Sequence, residues 1–507
     1  MKKHYTQQPR RRRIGIAIGS SVGIVALVGT LAGCAPAVAE APVASDASVA
    51  IGLRLEPTNL DIAHTSGIAL DQVLIDNVYE GLLTRTDDGN VDDLIAESHT
   101  VSDDGLVYTF AIRDGIVFHD GSELTVDDVV WSLSQVKDDE TFSAHPEFAS
   151  VESIAADGSN VVITLTQPNS SLLWSIAGRA GIVFDEQATN DLETTSNGTG
   201  PFSLAEWKQG DSITLERNDD YWGDTALIGE VVFQYFTDSS AEVNAVLAGD
   251  LDIATGIDAN LVTQLEGNDD YDLVAGKTTD KFTLAFNNAK VPFTDIRVRQ
   301  AIRQAIDNDA LIAAVNGAGY NISGPIPDGD PGYEDLTAVD AYDPEAAKAL
   351  LAEAGVSDLK LDLTIASFYG TTLTDVLTTQ LADVGITLTV KPVEFATWLE
   401  DVYTNHEYDL SIVDHAESRD FQNWANPDYY FGYDNADVQA LFAESQTALT
   451  PEDAAAKLQE AAKLVASDAP AEWLLVTKSN TAVAKGVTGF PADFTSARLN
   501  ITDLAVK

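Results

Sequence analysis

Past the apolar run 410–413 the chain reads Asp414-His415-Ala416-Glu417-Ser418-Arg419-Asp420, and Trp424, Tyr429 and Tyr430 follow closely. Both signs of charge and several aromatic rings therefore crowd just beyond a short buried strand. Ligands of open α/β sheets sit outside the carboxyl ends of strands. Glu417 or Asp420 could pair with a ligand cation there. Arg419 could take a ligand anion, since a planar guanidinium suits a carboxylate. Trp398, Trp424 and Tyr429 could supply amphipathic walls.

Other chemistries find little support. Gly19-Ser20-Ser21-Val22-Gly23 matches the Gly-x-Ser-x-Gly nucleophile elbow, but it lies in an apolar N-terminal run rather than on a strand-to-helix turn. There is no phosphate-binding Walker loop and no dinucleotide glycine pattern after a strand. The seven histidines are scattered, without a His-x-x-x-His pair, so no metal site is expected. His64 and His415 could still hold a metal chelate between them. With 80 acidic residues, close carboxylate pairs arise by chance. Neither an enzyme nor a cofactor is indicated. The net charge of −51 repels nucleic acid.

The N-terminus sets the compartment. Lys2, Lys3 and Arg10 to Arg13 precede an apolar run, 14–31, in the layout of a secretory signal. Leu31-Ala32-Gly33-Cys34 is similar to a bacterial lipoprotein box, in which the cysteine is acylated and becomes the new N-terminus. Cys34 is the only cysteine of 507 residues, so no disulfide is available. The Ala/Pro/Ser-rich stretch 35–48 reads as a tether. No later apolar stretch is long enough to span a bilayer.

The elements that must position the charged loop are readable from periodicity. Residues 107–112 alternate as a strand, and Thr125 with Asp128 reads as a capping box. Two segments read as strand–helix–strand. The first has strands at 231–236 and 251–254, with Ser240 as helix cap and Gly249 as its end. The second has strands at 359–366 and 386–393 around a helix at 373–381. Such units imply parallel pairing, and their separation along the chain points to two α/β lobes. A helix at 295–307 buries Val298, Ala301, Ile302 and Ala305. Its Arg297, Arg299 and Arg303 read as surface or lobe-interface charges. Asp343-Pro344 starts another helix that Gly355 ends.

A series of short motifs carries a further resemblance. Tyr79-Glu80-Gly81-Leu82, Arg113-Asp114-Gly115 and Phe118-His119-Asp120-Gly121 come first. Gly198-Thr199-Gly200-Pro201-Phe202, Tyr221-Trp222-Gly223 and Gly249-Asp250-Leu251-Asp252-Ile253 follow. Pro292-Phe293-Thr294-Asp295-Ile296-Arg297 and Tyr342-Asp343-Pro344 complete the series. In this order, over about residues 49–500, the chain resembles the extracellular solute-binding proteins of family 5, the peptide- and nickel-type receptors of ABC importers.

The resemblance implies a two-lobed, periplasmic-binding-protein-like α/β fold of type II, closed by a hinge. Lobe I would comprise 49–280 and 479–507, with an extra subdomain at 83–198; lobe II would comprise 281–478. It implies a monomeric receptor, lipid-anchored outside the cell membrane, that hands a peptide or similar amine-bearing solute to a permease with its ATPase. A nickel-chelate, opine or oligosaccharide receptor is the alternative on the same fold; an extracellular hydrolase is the alternative of another class. The resemblance places Asp414, His415 and Ala416 on a passage that gives main-chain contacts. The position of the acid that holds a peptide amine falls near Ser418, with Asp420 two residues late and Glu417 the other candidate. An arginine that holds a ligand carboxylate in some relatives is replaced here by Ser367-Phe368-Tyr369-Gly370. From lobe I, His64, Thr65 and Ser66 are expected to face the cleft.

Overall fold

The computed structural model describes residues 44–507 except 66, 87–88, 323 and 494–497. The expected export signal, Cys34 and Ser66 thus lie outside the described residues. Two long antiparallel strands, Tyr271–Phe286 and Ala471–Ala484, run from one lobe into the other. At one end the sheet continues through Ile253–Ala254, Ser48–Leu53, Glu230–Tyr235, Ser212–Arg217 and Phe202–Lys208. At the other it continues through Leu410–His415, Leu359–Ala366 and Ile386–Val393. The ladder of the two long strands slips in between. Lys277 faces Lys478, but Lys281 faces Val476.

Alternation along the strands builds separate cores. Leu284, Phe286, Leu410 and Ile412 point to one face of the lobe II sheet. Ala285 and Val413 point to the other, where they meet Trp398, Trp424, Tyr430 and Trp473. Lobe I and its subdomain share a different core, which includes Val49, Ile51, Val231 and Phe233. The subdomain holds an antiparallel sheet of Ala96–Val101, Val107–Ile112, Asn160–Leu165 and Val151–Asp157. Beside it lies the helix Val126–Asp138, started by the expected Thr125–Asp128 capping box.

Both strand–helix–strand units form, with differences. Leu359–Ala366 and Ile386–Val393 pair directly and in parallel along their whole length. In the first unit, Ser48–Leu53 inserts between Glu230–Tyr235 and Ile253–Ala254 and pairs in parallel with both. The cap of the intervening helix is Asp238 rather than Ser240: its carboxylate accepts from the Ala241 amide at 2.9 Å. An ionised side chain two residues earlier satisfies the first turn better than the serine could.

The sequence motifs serve packing. Buried Glu80 accepts from Thr199 Oγ1 (2.7 Å), Tyr221 Oη (2.6 Å) and Trp222 Nε1 (2.9 Å), tying three motifs to one carboxylate. Burial pushes its pKa up to about 7 against these three donors. A Cβ on Gly198 would stand 1.8 Å from the Val78 carbonyl, so only glycine lets the two segments meet. Two of the helix 296–304 arginines depart from the surface reading. Arg299 caps buried carbonyls of Phe293 and Ala469, at 2.6 and 3.0 Å. Arg303 lies between Glu472 and Asp340 and is 4% exposed. Ala469 and Glu472 are distant in sequence, which is why helical periodicity could not place the two arginines. Arg297 is a surface charge beside Asp295.

Candidate ligand-binding cleft

A cavity of about 990 Å³ lies between the lobes. Parallel strands of both lobes end at it, as expected for open α/β sheets. From lobe I, Ser48–Leu53 delivers Leu53, Arg54 and Leu55, and Ile253–Ala254 delivers Thr255 to Asp258. From lobe II, Leu359–Ala366 leads to Tyr369, and Leu410–His415 leads to Ala416, Glu417 and Ser418. The slipped stretch of the crossing strands supplies Thr278, Thr279, Asp280 and Thr477 to Asn480.

Lys478 of this floor donates to the Gly317 carbonyl at 2.9 Å, and the end that carries Asp280 is acidic. Burial raises Asp280, and Lys281 pulls it back down. Asp414 stands behind it and is pushed up to about 7, first by burial and then by Asp280. Its Oδ1 is buried and finds no hydrogen-bond partner among the described residues. Lys281 answers these acids only in part. Its Nζ donates to the Glu417 carbonyl at 2.8 Å and the Thr279 carbonyl at 3.2 Å, and lies 3.3 Å from Asp420 Oδ1. Burial still pushes Asp420 up to about 6. An ammonium entering the cleft would meet Asp280 and the exposed Glu417 carboxylate at a site already short of positive charge.

Ligand atoms of His415, Glu417 and Asp420 lie within 4.8 Å of one another. The Lys281 ammonium already serves Asp420 and the Glu417 carbonyl in this group, so the group holds a cation of its own. His415 is pushed down to about 3 by burial and by Lys281, so it is neutral at physiological pH.

The residues singled out in the sequence divide. Tyr369, Ala416 and Glu417 line the cavity. Asp414 lies next to that wall, its amide donating to Tyr369 Oη at 3.2 Å. His415 has the opposite strand parity. It stacks on Tyr430 in the lobe II core and shares a 3.1 Å hydrogen bond with the Tyr430 hydroxyl. Trp398 is buried with its Nε1 on Ser411 Oγ, and Trp424 stacks on Phe431 at 4.3 Å. Tyr429 packs against Tyr403, Tyr430 and Phe431. Asp420 is spent on Lys281. These rings are core because the face opposite the cleft also needs apolar mass. His64 is held by Asp61 at 2.8 Å and packs on Phe142; Thr65 donates to Asn59 Oδ1. Neither is on the cavity wall, where Ile68, Asp71 and Gln72 stand instead.

Sequence reasoning passed over Asp280, Arg54, Arg85 and Trp174. A signal existed for the first: Thr278-Thr279-Asp280-Lys281 is a polar run that precedes the buried stretch 283–286 of the same strand.

Arg419 bridges the lobes. It has φ 56°, and its amide donates to Asp330 Oδ2 at 2.7 Å. Its Nη2 donates to the Gly89 carbonyl at 3.1 Å, and its Cζ lies 3.3 Å from the centre of the Trp174 ring. Nearby, Ser170 donates from its amide to Gln446 O and from its hydroxyl to Ser445 O, at 2.9 and 2.8 Å. The lobes are in contact across the cleft mouth.

Comparison with known proteins agrees with this architecture. The glutathione-binding protein GsiB of Salmonella typhi is 27% identical over 476 residues, covering 88% of this chain and 92% of that protein. The substrate-binding protein CtaP of Listeria monocytogenes superposes with a TM-score of 0.82 at 21% identity, covering 91% of this chain and 99% of that one. The binding protein AgaA of A. tumefaciens, in complex with agropinic acid, superposes at 0.71 with 26% identity, covering 91% and 99%. The profile described as "Bacterial extracellular solute-binding proteins, family 5 Middle" matches residues 90–442. The two-lobed sheet, the cleft between the lobes and this match place the chain among the family 5 extracellular solute-binding proteins, which are substrate receptors of ABC importers and not enzymes.

Proposed function

We propose that this receptor captures a peptide or similar amine-bearing solute, whose ammonium docks on Asp280 and Glu417 at the floor of the cleft. The observation that carries the reading is the acidity around Asp280, which shares Lys281 with Asp414 behind it and stands on the same wall as the exposed Glu417. Glutathione, named for the GsiB relative, is a small peptide with a free amine. Agropinic acid in the AgaA relative keeps an opine as the second reading. The hinge lies where the crossing strands slip, near Thr278 to Asp280 and Thr477 to Ser479. The receptor is held outside the cell membrane by lipid on Cys34 and delivers its solute to a permease and ATPase.

The test is mass spectrometry of solutes released by denaturing protein purified from its own bacterium. A primary amine at up to one equivalent is expected. A neutral sugar as the sole occupant would overturn the reading.

A further inference from the structure

A second cavity of about 320 Å³ opens beside the cleft, within lobe I. The two cavities share Ile68, Asp71 and Arg85. In a chain of net charge −51, the lining of this side pocket is unusual: three arginines, Arg85, Arg179 and Arg498, against two acids, Asp71 and Glu147. Two of the arginines are committed to structure. Arg179 Nε holds Asp71 at 2.6 Å, and its other nitrogens serve the carbonyls of Ile62, Thr65 and Gly67. Arg498 holds Asp76 at 2.8 Å and donates to the Ala177 carbonyl. Glu147 accepts from Ser175.

Arg85 is different. Its Nη2 donates to the Trp174 carbonyl at 2.9 Å, and its Cζ lies 3.9 Å from the centre of the Trp174 ring. Its Nε is buried and finds no hydrogen-bond partner among the described residues. No salt bridge joins it to an acid among those residues. Burial, and then Arg498, pull its pKa down to about 9 against the nearby Glu147 and Asp71. The seat is built for the guanidinium. A Cβ on Gly178 would stand 2.7 Å from Arg85 Nη2. The guanidinium lines both cavities, and an incoming carboxylate would give it the acid partner that it lacks among the described residues.

We propose that Arg85 binds a carboxylate of the ligand where the cleft opens into the side pocket, and so selects zwitterionic solutes. This rests on the amine-bearing reading above and extends it: ammonium on the acidic floor of the crossing strands, carboxylate on lobe I. Trp174 carries Arg85 of lobe I and Arg419 of lobe II on one ring, so a carboxylate at Arg85 lies beside the contact that joins the lobes.

The test titrates trialanine, trialanine amide and succinate into the full chain as wild type, Arg85→Gln and Arg85→Lys, with melting temperatures recorded for each. Wild type should prefer the acid over the amide by about 10- to 100-fold, the range of a charge-assisted pair. Arg85→Gln should lose that preference by weakening the acid alone, and Arg85→Lys should recover part of it. Equal wild-type affinity for acid and amide overturns the proposal, as does an undiminished preference in Arg85→Gln. If neither peptide binds, succinate decides. Binding by wild type that is lost in Arg85→Gln keeps the carboxylate site and removes the peptide reading. Equal behaviour of the two proteins removes both.

Discussion

Lys281→Met should cost the folded protein about 3–5 kcal/mol at pH 8, because removing one partner leaves buried acids uncompensated. Lys281 is only 2% exposed and stands among Asp420, Asp280 and Asp414. The pH dependence identifies the cause. Asp414 and Asp420 have folded pKa values raised to about 7 and about 6, from 3.8. Groups raised in this way favour the folded state below their unfolded pKa, and that contribution is lost as pH rises through the folded pKa. Without the lysine they rise further. The deficit in the variant should therefore be greatest above pH 7 and shrink as pH falls towards 5. Urea titrations at pH 5 and pH 8 measure it. A deficit equal at both pH values would mean that lost packing, not uncompensated charge, is responsible.

Cys34→Ala should move the protein entirely out of the membrane fraction. Among the described residues no helix is long and apolar enough to cross a bilayer, and lipid on Cys34 is the proposed means of retention. Each buried methylene adds about 0.8 kcal/mol, and stable anchoring takes more than one acyl chain. Loss of the only cysteine removes the thiol that would carry that lipid. Fractionation with intact-mass measurement checks this. Wild-type protein that begins elsewhere and carries no acyl group would refute the anchor.

Periodicity made two lobe II strands legible to the residue: Leu359–Ala366 and Ile386–Val393 are where the apolar pattern and the flanking Gly385 put them, whereas the strand read as 410–413 runs on to His415. The insertion of Ser48–Leu53 between two later strands was not legible, because strand neighbours far apart in sequence leave no local trace. In the cleft, Ala416 and Glu417 were legible because they follow a buried strand. His415 was not, since one step along a strand reverses the face a side chain takes. Trp398 and Trp424 share their composition with any core aromatic, and only packing separates the two roles. Asp280 was marked only by the polar run 278–281 within a 16-residue strand, which names no ligand by itself. Arg303 read as a surface charge because its partner Glu472 comes 169 residues later.

The central claim is that the cleft holds the solute by its ammonium. Calorimetry of the wild-type chain with glutathione and with trialanine, each beside its N-acetylated form, tests it most directly. The expected result is one-to-one binding of at least one free amine, without hydrolysis, and a loss of about 30-fold or more on acetylation, the worth of a hydrogen-bonded charge. Equal affinity for free and acetylated forms, or no binding of either peptide, would contradict the account.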